Sequence, residues 1–216
     1  MFPALAYGWR ALPNPMKIAD KPDPDLDIVR LAGERSTRRA AMGVLYERFR
    51  ERVYNTALRV VGESEEAADV LQDVFVLLFR KIHRFRAQSF FAAWVYRITV
   101  NVSLDRLRQR RRRPALNLDE TTLDGGRDTE DLSHPERAAT RRDLEAHVRA
   151  ALGSLSPRLR IVVVLRYLEG LAYQDIAQVL DCSVGTVKSR LNRAHSHLRG
   201  LLSSRYSQGA PGSLPA

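Results

Sequence analysis

Lys188, Ser189, Asn192 and Arg193 recur at the spacing that puts them on one side of a helix, with Thr186 a turn before them. Side chains of these types can do one kind of chemistry together. They donate hydrogen bonds to base edges and pair with phosphates. A second cationic element lies about a hundred residues earlier, where six arginines fall within residues 106–113. It closes the segment FRAQSFFAAWVYRITVNVSLDRLRQRRRR, which mixes Phe85, Phe90, Phe91, Trp94 and Tyr96 with Arg86 and Arg97. Rings beside a cationic groove suit a single strand, because bases stack on the rings while arginines follow the phosphates. The competing reading makes the rings core and the arginines a solvated helix end. Core is the expectation for Phe91 and Trp94. It accounts less well for six like charges on adjacent turns, which repel unless something negative neutralises them. No glycine-rich phosphate loop, nucleophile–base signature or carboxylate cluster at metal spacing occurs. The chain therefore reads as a binder without a cofactor or metal, not as an enzyme.

These groups need scaffolds, and the periodicities supply them. Val184, Val187, Leu191, Ala194, Leu198 and Leu201 form one apolar stripe at spacings of three and four, opposite the polar residues. Just upstream, Ile176, Ala177 and Leu180 form the inner face of a shorter helix, and Ala177 permits close approach. Two such helices meeting at Leu180-Asp181-Cys182-Ser183 make a helix-turn-helix whose second helix enters a major groove, or else a plain helical hairpin with a solvated basic face. Cys182, in that turn, reads as a small half-buried filler. Further upstream, Val74 to Phe79 is apolar all round a helix, with Asp69, Gln72 and Asp73 as a polar edge. That pattern means either a central core helix or a docking face for another protein.

Helical spacing runs through almost the whole chain. The fold class is all-α: two small helical domains joined by a flexible acidic linker. Residues 1–25, with prolines at 13, 15, 22 and 24, are expected to be a disordered extension, and Met16 is a second candidate start. The first domain spans 26–113, with an amphipathic helix from Ser36 to Val61 ended by Gly62, a helix from Glu65 to His83 capped by Ser64, and one from about Phe91 to Arg112. The linker, 114–135, carries six acids against Arg127 alone and is expected to compete for the basic faces. The second domain spans 136–205, with helices at about 136–153, 157–168, 173–180 and 183–203, and 206–216 is a disordered tail. The formal charge of +10, from 35 Lys and Arg against 25 Asp and Glu, favours a polyanionic partner. One cysteine excludes an internal disulfide. The longest apolar run, six residues, falls far short of the ~20 that span a bilayer, so no membrane insertion is expected and the reading is cytoplasmic.

Three segments in order resemble the extracytoplasmic-function sigma factors, the small two-domain class of bacterial transcription initiation subunits. ADVLQDVFVLLFRKIHRFR is similar to the family's polymerase-binding helix. FFAAWVYRITVNVSLDRLRQRRRR is similar to its promoter-melting segment. LSPRLRIVVVLRYLEGLAYQDIAQVLDCSVGTVKSRLNRAHSHLR is similar to its upstream-element reader. The resemblance implies that Asp69, Gln72, Asp73 and Val76 dock on the clamp helices of the largest subunit of core RNA polymerase, and that the flap of the second-largest subunit is a further partner. It implies that Arg86, Ala87, Gln88, Ser89 and Phe90 receive a base flipped from the −10 element. Arg97, Asn101, Asp105, Arg106 and Arg108 would line that path. It implies that Thr186, Lys188, Ser189, Asn192 and Arg193 read the −35 element. Promoter DNA and an anti-sigma factor are the further partners it implies. The flipping loop departs from the family's glycine and acid, carrying Ala87 and Gln88 there. The rival function is a helix-turn-helix regulator that never joins the polymerase.

Overall fold

A computed structural model describes residues 23–85, 90–112 and 146–208, and every element in them is helical. In the first unit, α1 (Leu26–Gly33), α2 (Arg38–Val61), α3 (Ser64–Lys81) and α4 (Phe91–Arg112) pack round one core. α2 contributes Leu45, Phe49, Val53, Ala57 and Val60, one residue per turn, all buried. Its end is set by Gly62, whose φ of 92° is left-handed and open to glycine at no steric cost. α3 buries Ala67, Val70, Val74 and Leu78 at spacings of three and four. Each large apolar side chain so buried contributes about 1.5–3 kcal/mol. Ser64 is the first residue of α3 rather than its cap, and no side chain caps that end.

α4 buries Phe91 in a ring cluster with Phe49, Phe85 and the half-buried Trp94, at centroid separations of 5.4–5.7 Å. Two buried hydroxyls on this helix, Thr99 and Ser103, donate to the carbonyls of Val95 and Thr99 at 2.9 and 2.8 Å, so neither is left unsatisfied. The start of α4 is fastened from far away. The Phe91 N–H donates to Asp23 Oδ2 at 2.7 Å, and the buried Asp25 pairs with Arg48 of α2. Asp23 and Asp25, expected to belong to the disordered extension, are instead packed, because their carboxylates satisfy a helix end and an arginine. α1 is a further helix, beyond those expected from the sequence.

In the second unit, α5 (146–154), α6 (Pro157–Val163), α7 (Tyr173–Val179) and α8 (Val184–Gln208) surround Ile161, Leu165, Ile176, Val187 and Leu191. Pro157 sits at the first turn of α6, where a missing N–H costs nothing. α6 continues into a π turn over Val164–Leu168. The two units also touch: α7 lies on α4, and the π turn and α6 lie on α2. α8 runs on through Gln208, so the first residues of the expected disordered tail are helical; the expected linker and the rest of the tail lie outside the described residues.

Candidate nucleic-acid interface

The turn between α7 and α8 is built by a few backbone groups. Cys182 N–H donates to Ala177 O at 3.0 Å, and Asp181 adopts a left-handed φ of 50°. Ser183 Oγ accepts the N–H of Thr186 at 3.1 Å, which caps α8 and fixes Thr186. Val187, Leu191 and Ala194 are then buried, which leaves Lys188, Ser189, Asn192 and Arg193 exposed on the far side. Arg193 lines an open cleft with Ser189, Arg190, Ser156 and Arg158, so the start of α6 brings a third guanidinium to the face. Lys188, Arg190 and Arg193 form no ion pair with an acid among the described residues. Their charge is available to phosphates. Behind the face, Tyr167 OH and His195 Nε2 are 2.8 Å apart. Burial, and then Arg199, lower the His195 pKa, while burial raises that of Tyr167. Cys182 is half-buried, as expected of a filler.

On α4, Arg97, Asn101, Asp105 and Arg108 follow one another along one exposed side, with Phe90 half-buried at its head. Asp105 and Arg108 pair at 2.8 Å, and Arg97 reaches Asp181 of the α7–α8 turn at 3.4 Å. Residues Arg86, Ala87, Gln88 and Ser89 lie outside the described residues. Two expectations change. Arg106 does not join this side; half-buried, it bridges to Asp69 and Asp73 of α3 at 3.3 and 3.5 Å. Tyr96 is no stacking ring either, being buried at the contact between units. The arginine run is also neutralised in part from within, since Arg110 pairs with Glu63 and Glu66 at 2.6 and 3.4 Å.

α3 presents a third face. Asp69, Gln72, Asp73 and Val76 lie on one stripe and are exposed, although the helix is central to its unit. Val76 and Phe79 are 48% and 46% exposed, and the Phe75 ring beside them meets Tyr46 edge-on at 4.8 Å. The Arg38 guanidinium lies 5.9 Å above Phe79. α3 is therefore core on one side and exposed on the other. Tyr46 and Phe79 were not singled out in the sequence; the all-round apolar run was the signal that could have found Phe79. Among the described residues no group of three His, Cys, Asp or Glu is placed to hold a metal, and no helix is long and apolar enough to cross a membrane.

The family described as sigma-70 region 2 matches residues 45–113, and that described as sigma-70, region 4 matches residues 146–198. The RNA polymerase sigma-H factor of Pseudomonas aeruginosa is 37% identical over 158 residues, covering 71% of this chain and 82% of its own. The ECF RNA polymerase sigma-E factor of Haemophilus influenzae is also 37% identical, over 71% of this chain and 83% of its own. Among solved structures, CnrH in complex with the cytosolic domain of CnrY superimposes with a TM-score of 0.60 at 28% identity, covering 83% of this chain and 97% of that one. The sigma factor RpoE of Bartonella quintana, in complex with the anti-sigma factor NepR, gives 0.56 at 22% identity over 74% and 96%, a likeness of fold.

Proposed function

The chain belongs to the extracytoplasmic-function class of the sigma-70 family, whose members direct transcription initiation, and from that membership we propose that its three faces are a polymerase dock, a −10 reader and a −35 reader. The family is one of initiation factors rather than catalytic enzymes, and we assign this chain no catalytic residue. Asp69, Gln72, Asp73 and Val76, widened by Phe79 and Tyr46, dock on core polymerase. A lone domain gains nothing by exposing so much apolar surface on its central helix. That exposed stripe carries the proposal, because a helix-turn-helix regulator working without polymerase has no use for it.

Arg97, Asn101, Asp105 and Arg108, with Phe90 and the loop 86–89, hold the separated −10 strand. A base extruded from the stack is read by contacts to its edge and by stacking, at a cost of a few kcal/mol. Lys188, Ser189, Asn192 and Arg193 read −35 base edges, and Thr186, tied to Ser183, sets the entry of α8. Arg158 and Arg190 take the neighbouring phosphates. The domain limits 26–113 and 136–205, extended at the front to residue 23, follow from these faces. A soluble cytoplasmic location fits a promoter reader. CnrH and RpoE are held by CnrY and by the anti-sigma factor NepR, and a partner of that kind is proposed here too.

The test is reconstitution with core polymerase. Co-purification and defined transcript starts from a set of promoters sharing one −35 and one −10 sequence are expected. DNA binding without polymerase association would leave the regulator reading standing instead.

A further inference from the structure

Glu169 lies in the second unit, yet its carboxylate is spent on the first. Its side chain is 8% exposed. Tyr96 OH donates to Oε2 at 2.7 Å and Thr56 OH to Oε1 at 2.9 Å, and Arg59 lies 3.4 Å from Oε1. Charge-assisted bonds of this sort are stronger than neutral ones. Beside them, Arg160 donates to Val60 O at 2.6 Å, again from the second unit to the first. The backbone is shaped to present Glu169. Its N–H bonds to Val164 O at the end of the π turn, and Gly170 follows with a φ of 71° that favours glycine. π turns of this kind are frequent at functional sites. None of Thr56, Arg59, Tyr96 and Glu169 belongs to the faces assigned above.

The contact has a geometric consequence. α7 rests on α4, and helices in contact have axes about 8–10 Å apart. The −10 and −35 elements are numbered 25 base pairs apart, which at 3.4 Å per pair is about 85 Å of duplex. The two readers cannot occupy both elements while α7 touches α4. Residues 113–145 could extend over about 110 Å, so the chain can reach both once the units part. Meanwhile the α3 stripe and the α8 reading face are exposed in the closed arrangement, and Arg97 is held by Asp181. That last pair is well exposed and adds little strength, though it occupies a −10 residue.

We propose that Thr56, Arg59 and Tyr96 form a carboxylate receptor for Glu169, a latch that holds the chain closed and keeps it from spanning a promoter while leaving it free to dock. The promoter half rests on the reading of α4 and α8; the latch itself does not. A carboxylate of this burial is either fully partnered or back in water, so the contact behaves as a two-state element.

The test uses the full chain and its Glu169→Gln, Tyr96→Phe and double variants. X-ray scattering in solution should report a larger radius of gyration for each variant. The probes are a −35 duplex alone and the same duplex continued into a single-stranded −10 element. Removing a latch of this strength should raise the advantage of the longer probe by roughly five- to thirty-fold. Affinity for the −35 duplex alone should not change. The double variant should gain little over either single one, because both break the same bond. Should Glu169→Gln lose helicity, Thr56→Ala with Tyr96→Phe carries the same comparison. Unchanged size in well-folded variants overturns the latch. Larger size with no change in the probe ratio overturns its role in promoter reading. Failure of every protein to bind the −35 duplex strikes at the α8 assignment instead, and scattering still decides the latch.

Discussion

Replacing Arg193 by alanine separates base reading from general attraction. At about 100° per residue along α8, the buried Val187, Leu191 and Ala194 and the half-buried Leu198 centre on one direction, and Thr186, Lys188, Ser189, Asn192 and Arg193 centre about 180° away. With the first group packed, the second faces outward, and on the proposed reading it enters a groove about 12 Å wide and 8.5 Å deep. Arg193 is exposed, forms no ion pair among the described residues and lines the cleft, so it has a full set of donors to give. Loss of a base-reading arginine costs about 1–3 kcal/mol, or about 5- to 150-fold at the preferred base, with relaxed preference at that position. Arg158, at the start of α6, lines the same cleft and on the proposed reading is a phosphate neighbour. Its removal should weaken all sequences alike and lower the salt slope by about 0.9, which is about a 3.5-fold smaller loss between 50 and 200 mM salt. Arg199 lies about 9 Å beyond Arg193 along the axis, and its removal should act like that of Arg158 or not at all. The assay is run-off transcription from promoters randomised across the −35 element, with each variant and core polymerase. An Arg193→Ala profile of wild-type shape, only lower, would refute the base-reading assignment.

Val76→Gln, with Gln72→Ala and Asp73→Ala, should reduce affinity for core polymerase more than five-fold in a pull-down titration, because the change removes the centre of an exposed apolar patch. Thermal stability should move little, and a melting point lowered by many degrees would show that the stripe belongs to the core. The second unit should weaken in acid through His195. Its pKa is lowered from 6.5, so the unfolded chain binds the proton first. The stability that His195 contributes is complete above pH 6.5 and falls below it, by at most about 1.4 kcal/mol per pH unit. Denaturant unfolding at several pH values should show that His195→Gln has lost this component; identical acid curves for the two proteins would refute it. Tyr96 works in the other direction. Burial, and then Glu169, raise its pKa, so its contribution is complete below pH 10 and is lost as pH rises further. A wild-type chain whose stability between pH 10 and 11 falls no faster than that of Tyr96→Phe would contradict this.

Much of this protein was legible along the chain. The 3-4 spacing of Val184 to Leu201 determined which side of α8 is buried, and hence which residues face outward, because a helix has one rotation that hides its apolar stripe. Gly62 marked the end of α2 through local backbone chemistry. The apolar run at 74–79 announced a helix with too much grease for one neighbour. The structure then decided how that run divides, with Val74 and Leu78 inside and Val76 and Phe79 outside, since only packing chooses between equally apolar sides. Long-range pairing stayed hidden. Nothing near Asp23 predicts that it holds the first N–H of α4, and nothing near Arg106 predicts that it faces Asp69 and Asp73. Glu169 and Tyr96 are 73 residues apart and carry no shared pattern. A hydrogen bond between elements depends on where the elements dock, and that is set by the whole core rather than by the residues that make the bond.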